Sequence, residues 1–411
     1  MRDKSLVIVS ADCHAGPDSM TAYRDYLDPK YRPDYDDYLA RIAAYEASFQ
    51  DHFSRGGAPS PQGEDGLSDI EARTRYLDAD GVSAEVIYAQ GAIPFATYPA
   101  VAGRERLMDY QADQARLAAG AHAYNRWLAD FCATNPDRHI GIARIPILDI
   151  GAAVAEVEFA AKAGLRGGVI LPPLINPEIP AYNDPRYERL WAACAEHRMT
   201  LNMHGGAQLT YGGGAERGAL VLAETDWWSH RGLAHLLFAG VFERHPELHL
   251  AITEQRTHWA APLLRDYDSI YEYPGSSNLR RVLPRRPSEY FRSNCFVGAS
   301  FMSRPECEAR DELGVECLMW GSDFPHTEGA WPHTETSLRW TFGCGVSSDD
   351  LRAMIGGNAA RCYNLDLARL QPLADRIGPT EARLRVPVES LPELPKEGHI
   401  SWAFRQGGAW H

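Results

Sequence analysis

Eight short apolar runs punctuate this chain, and helical patterns separate them. The runs are "LVIVSAD" (6–12), "AEVIYAQ" (84–90), "HIGIARIPI" (139–147), "GGVILPP" (167–173), "TLNMHGG" (200–206), "LHLAITE" (248–254), "NCFVGAS" (294–300) and "CLMWGSDFPH" (317–326). Several are nearly uninterrupted, as expected of strands covered on both faces. The segment 105–133 is long and amphipathic, and 151–164 is alanine-rich and closes on Gly164. The segment 183–198 opens with Asn-Asp-Pro, so Asp184 is the expected cap and Pro185 the first turn. Helical character returns at 230–246, 303–314 and 347–363. Strand and helix alternating eight times predict a parallel α/β architecture, and eight is the number at which such a sheet closes into a (β/α)8 TIM barrel. An open doubly wound sheet is the alternative, but no G-x-G-x-x-G follows the first strand. The glycines of "YGGGAERG" (211–218) suit a loop near a pocket mouth.

Two stretches fall outside the alternation, which makes residues 1–370 one barrel domain with an insertion at 15–68, followed by an extension at 371–411. The insertion is tyrosine-rich and then turn-rich, and is expected to cap the barrel mouth as a lid. The extension is rich in proline and charge, yet it carries Trp402 and Trp410 among Leu, Val, Ile and Phe. So much apolar surface predicts packing on the barrel or on a second subunit, hence a homodimer or higher homo-oligomer. A net charge of −14 argues against a nucleic-acid partner. No run reaches transmembrane length, and the first run is too short for a signal-peptide core, so no membrane partner and a cytoplasmic location are expected. Eight cysteines without a CxxC pair suit reduced thiols.

In such a barrel the working residues gather at the C-terminal ends of the strands. Asp12 and His14 end the first run, and alternation would turn both to one face and Cys13 to the other. Taken alone, the pair is either a metal platform or a polar strand end before a Gly-Pro turn. Further strand ends supply His204 on the fifth, Glu254 on the sixth and Asp323 on the eighth. Metal-capable groups at four strand ends favour the platform.

The stretches "SADCHAG" (10–16), "DADGVSAEVIY" (78–88), "NDPRYERLWAACAEHRMTLNMHGG" (183–206), "GSDFPHTEGAWP" (321–332) and "IGGNAARCYNLD" (355–366) resemble the amidohydrolase-related family, the group that includes aminocarboxymuconate semialdehyde decarboxylase. The resemblance implies a distorted β/α barrel holding one divalent metal through Asp12, His14, His204 and Asp323. It departs from the family pattern at Asp12, where histidine or glutamate is usual, and at Glu254, where the decarboxylases end strand six in histidine. Two histidines and two carboxylates suit Zn²⁺, with Mn²⁺ and Fe²⁺ as alternatives.

Asp323 is the expected base, and Glu254 either orients water or a ligand or closes a salt bridge. His258 is a candidate general acid or a helix-start histidine bonded locally. Arg256 could grip a substrate carboxylate, or pair with Glu254 or Asp266. His326 is expected in the pocket wall. Trp259, with Trp227 and Trp228, either lines an aromatic substrate site or packs in the core. The expected function is a metal-dependent hydrolase using metal-activated water on an amide, ester or activated C–C bond of a small aromatic or carboxylated substrate. The alternatives are a non-oxidative decarboxylase of an aromatic or unsaturated acid, and a non-catalytic metal-binding barrel. Glu254 in place of histidine tips the reading toward hydrolysis.

Overall fold

Each of the eight apolar runs overlaps a strand. In a computed structural model describing residues 4–48, 63–91, 93–96, 108, 113–206, 214–343 and 345–388, these are β1 (Val9–Ala15), β2 (Ala84–Ala89), β3 (His139–Gly141), β4 (Val169–Ile170), β5 (Leu201–His204), β6 (Leu250–Thr253), β7 (Cys295–Ser300) and β8 (Leu318–Gly321). They pair in chain order and in parallel, as an arc of β1 to β3 and an arc of β4 to β8. Single parallel bridges join the arcs at both seams, Ala143 with Val169 and Cys13 with Phe324. The result is a distorted β/α barrel. Its β3 and β4 ladders are short, and after β4 Pro172 and Pro173 have no N–H to extend the ladder.

Two apolar cores lie on the two faces of this sheet. The inner one holds Val9, Ala11, Val86, Ile140, Phe296 and Met319, and Tyr363 packs into it from the helix Asn358–Tyr363. The outer one lies between strands and helices and is the larger. β1 belongs to both, and its register against β2 shifts between Ser10 and Cys13. Strict alternation from Val9 would send residues 9, 11 and 13 inward. The bulge reverses that parity, so Cys13 packs outside on Phe324 and Trp331 while Asp12 and His14 face the mouth.

Two of the helices start on aspartate caps. Asp184 accepts a hydrogen bond from Arg186 N with Pro185 in the first turn, and Asp149 caps Ile150–Lys162. Gly164 lies at φ 85°, a left-handed stop that glycine adopts without strain. The expected helix 230–246 is instead two, Gly232–Phe238 and Val241–Arg244, parted by Gly240 at φ 66°.

The insertion leaves β1 at its C-terminal end. Tyr23, Tyr35 and Tyr38 are buried, with rings against Tyr124, Trp127 and Phe95. Its return at Gly63–Gly66 rests on Phe324 and Trp331, in the loop after β8. The extension packs on its own barrel through the helices Leu367–Ile377 and Glu381–Leu384. Trp402 and Trp410 lie outside the described residues, as do Gly212 and Gly213. Among the described residues no helix is long and apolar enough to cross a membrane, and the seven described cysteines are free and buried.

Candidate metal centre

The strand ends deliver their side chains to one place. His14 Nε2 lies 3.2 Å from Asp323 Oδ1, 3.6 Å from Asp12 Oδ1 and 3.7 Å from Glu254 Oε2. His204 Nε2 lies 3.3 Å from Asp12 Oδ1 and 3.0 Å from Glu254 Oε2. These donors form two overlapping groups, each with its atoms within 4.8 Å of one another. Asp12, His14, His204 and Glu254 make the first; His14, Glu254, Asp323 and His326 make the second. The expected quartet therefore converges around His14, but Asp323 falls in the second group, and Glu254 is common to both.

Backbone strain accompanies this convergence. Glu254 and Asp323 leave their strands at φ 51° and 57°, left-handed values that cost a non-glycine residue about 1–3 kcal/mol each and persist where the surroundings enforce them.

Burial sets the electrostatics. It drives His14 down to about 4, helped by the charge of His326. Burial likewise pushes Glu254 well above the usual carboxylate range, with Asp323 and Asp12 adding repulsion against the attraction of His204. For His204 and His326 burial works downward, but Glu254 and Asp12 lift the first, and Asp323 the second, to about 9. Asp323 is held below the usual range because His326 and His14 outweigh its burial. Both nitrogens of His14 and both carboxylate oxygens of Asp323 are buried with no partner in good hydrogen-bond geometry, their neighbours being the ion-pair contacts of this cluster. Buried polar atoms without such a partner are costly unless something binds them. Nitrogen and oxygen donors crowded this closely, with such atoms among them, fit a divalent cation.

The remaining candidates separate. His326 belongs in the cluster: its ring stacks on His14 at 4.0 Å, Nδ1 lies 3.0 Å from Asp323 Oδ1, and Nε2 donates to Gln90 Oε1 at 2.7 Å. Arg256 pairs with Asp226 at 2.6 Å rather than with Glu254 or Asp266. Trp259 stacks on His230 at 3.8 Å. Trp228 donates to Glu224, while Trp227 is 49% exposed. His258 is exposed and lines a separate cavity of about 270 Å³ with Glu306 and Arg310. Neither donor group includes it. Three histidines away from the strand ends have partners of their own: His122 with Glu156, His245 with Glu188, His235 with Asn183.

Three contacts escaped the sequence reading. Ser300 donates to Asp12 Oδ2, Gln90 holds His326, and the Tyr88 ring lies 4.4 Å from that of His204. Ser300 ends β7, Tyr88 lies in β2 and Gln90 follows it, so the strand-end rule applied to polar as well as metal-capable residues would have found Ser300 and Gln90.

A family model described as Amidohydrolase matches residues 12–365. A gamma-resorcylate decarboxylase from Rhodococcus jostii (strain RHA1) is 26% identical over 286 residues, 65% of this chain and 80% of that one. The solved structure of 5-carboxyvanillate decarboxylase from Sphingomonas paucimobilis is similar with a TM-score of 0.61 at 19% identity, covering 88% of this chain and 100% of that one. The same enzyme from Novosphingobium aromaticivorans, crystallised with manganese and 4-hydroxy-3-methoxy-5-nitrobenzoic acid, gives 0.64 at 16% identity, covering 88% and 96%. At such identities the likeness of structure speaks to the fold.

Proposed function

The chain belongs to the amidohydrolase family of metal-dependent hydrolases and carboxy-lyases, and from that premise we propose that it is a non-oxidative decarboxylase of a hydroxylated aromatic acid. The observation that carries this reading is the overlap of the two donor groups at His14 and Glu254. One group suits a cation that grips substrate oxygens; the other keeps a proton beside it. The similarity to gamma-resorcylate decarboxylase supports lyase chemistry over the hydrolysis suggested by Glu254. That suggestion rested on a missing imidazole at strand six. An imidazole is nevertheless present, because His326 stands three residues after Asp323 and pairs with it.

Asp12, His14, His204 and Glu254, with Asp323 alongside, would hold the metal. When bound, a divalent cation supplies the positive charge that binds a substrate carboxylate and its neighbouring hydroxyl. Ser300 fixes the aim of Asp12. Gln90 Oε1 accepts a hydrogen bond from His326 Nε2–H, so Nδ1 faces Asp323 Oδ1 and one proton can be shared between them. Asp323 gives that proton to the ring carbon as the C–C bond breaks; the bond's electrons stay on the ring and carbon dioxide leaves. Manganese in a structural neighbour, and the mixed nitrogen and oxygen donors, support Mn²⁺ as readily as Zn²⁺.

The test is to supply Mn²⁺-loaded protein with gamma-resorcylate and 5-carboxyvanillate in D2O. Carbon dioxide release with one deuterium at the vacated ring carbon is expected. Hydrolysis of a panel of amides, esters or lactones, with every aromatic acid left intact, would overturn the reading.

A further inference from the structure

Arg73 lies on the helix Ile70–Ala79, remote in sequence from every strand end, and is fully buried. Its Nε and Nη2 donate to the two carboxylate oxygens of Glu85 at 2.6 and 2.7 Å. A buried fork of this kind could be structural alone. The third nitrogen says more. Nη1 donates to two main-chain carbonyls at 2.8 Å each, those of His14 and Gly66.

These carbonyls belong to segments with different tasks. His14 is shared by both donor groups, and Gly66 lies in the return of the insertion. Gly16 N donates to Leu67 O at 3.1 Å, so the two ends of the insertion meet there. A side chain at Gly66 would come within 2.8 Å of the Phe324 ring, and the guanidinium carbon lies 5.0 Å from the centre of that ring. Phe324 directly follows Asp323. A guanidinium is a planar, fixed fork of donors. Once Glu85 fixes one edge, the direction of Nη1 is no longer free.

We propose that Arg73 is a positioning residue whose Nη1 fixes the main chain of His14 and the returning insertion to each other, so that one group sets both the seat of the insertion and the aim of the His14 imidazole. The inference rests on the metal reading of the site and not on the reaction.

The test replaces both partners, Arg73→Met with Glu85→Gln, because removing one alone would leave an unpaired buried charge. Circular dichroism checks the fold, amide exchange reports on residues 14–16 and 63–68, and electron paramagnetic resonance of free Mn²⁺ gives the metal affinity. A folded variant should exchange faster at Gly16 and Gly66–Ser68 and bind Mn²⁺ about tenfold more weakly, the usual cost of losing support behind a ligand. If the double variant does not fold, Arg73→Lys keeps a cation beside Glu85 without the fork, and the same two changes are expected. Unchanged Mn²⁺ affinity in a folded variant overturns the inference, even where exchange is faster. A wild-type chain that binds no Mn²⁺ sinks the metal reading, and this inference with it.

Discussion

At Asp323, charge, strain and burial meet in one residue. Its carboxylate is buried, His14 and His326 approach one of its oxygens to 3.2 and 3.0 Å, and its backbone is left-handed. Asparagine keeps the shape and removes the charge. Asp323→Asn should therefore lower turnover by about 100-fold or more, the scale of losing a positioned acid or base, a far larger loss than that of folding stability. Wild-type turnover on a confirmed substrate would dismiss its role. Glu254 makes a different case, because three carboxylates, Asp12, Glu254 and Asp323, crowd one buried cluster. In chelator, Glu254→Gln should melt above the wild type, since it relieves repulsion. Metal at a hundred times its Kd should stabilise the wild type by about 2.7 kcal/mol. The same concentration should stabilise the variant less, and an equal shift would mean that Glu254 is not a donor. All five strand-end residues were legible because each closes an apolar run. His326 was visible only as a wall residue, since nothing in a sequence shows that its ring stacks on His14. Arg73 was hidden altogether, for its telling partners are carbonyls and it sits in the middle of a helix.

Strands were legible as elements, but their internal geometry was not. Apolar runs marked all eight, whereas the bulge in β1 has no sequence signal and decides which of its residues face the mouth. The expectation that Asp12 and His14 share a face held because they lie on the same side of the parity reversal. The first three strands are also tied by charge: Glu85 on β2 binds Arg73 and His139, the latter on β3, with Arg73 reaching β1 at His14. Burial would raise the Glu85 pKa, but Arg73 and His139 overcome it and hold the folded value below the ordinary 4.5. Below pH 4.5 the unfolded chain therefore takes up a proton that the folded chain refuses, and stability falls as pH falls. Above that pH the contribution is complete. Melting temperatures recorded down to pH 3 should drop more steeply for the wild type than for Arg73→Met with Glu85→Gln. Parallel acid limbs would show that Glu85 carries no such linkage.

Across the whole molecule, the extension joins the two ends of the described chain. Leu6 N donates to Pro379 O at 2.9 Å, Ser5 bridges Thr380, and Gln371 reaches the Ser5 carbonyl. Arg339 binds the carbonyls of Val386 and Pro387. Leu370, Ala374 and Leu384 are buried against the barrel. The sequence left two homes for this apolar surface, its own barrel or a second subunit, because composition shows that a residue needs cover and not what covers it. As far as residue 388 the cover is its own barrel, which leaves Leu391, Leu394, Ile400, Trp402, Phe404 and Trp410 for the proposed dimer. A chain ending at 370 should lose the burial of Leu384, about 2 kcal/mol by itself, together with the clasp on the first strand, and should melt well below the wild type. If residues 389–411 build the proposed dimer, light scattering at micromolar concentration should find the full chain dimeric and a chain ending at 388 monomeric. A full-length monomer, or a dimer that survives the truncation, would remove the extension from the interface.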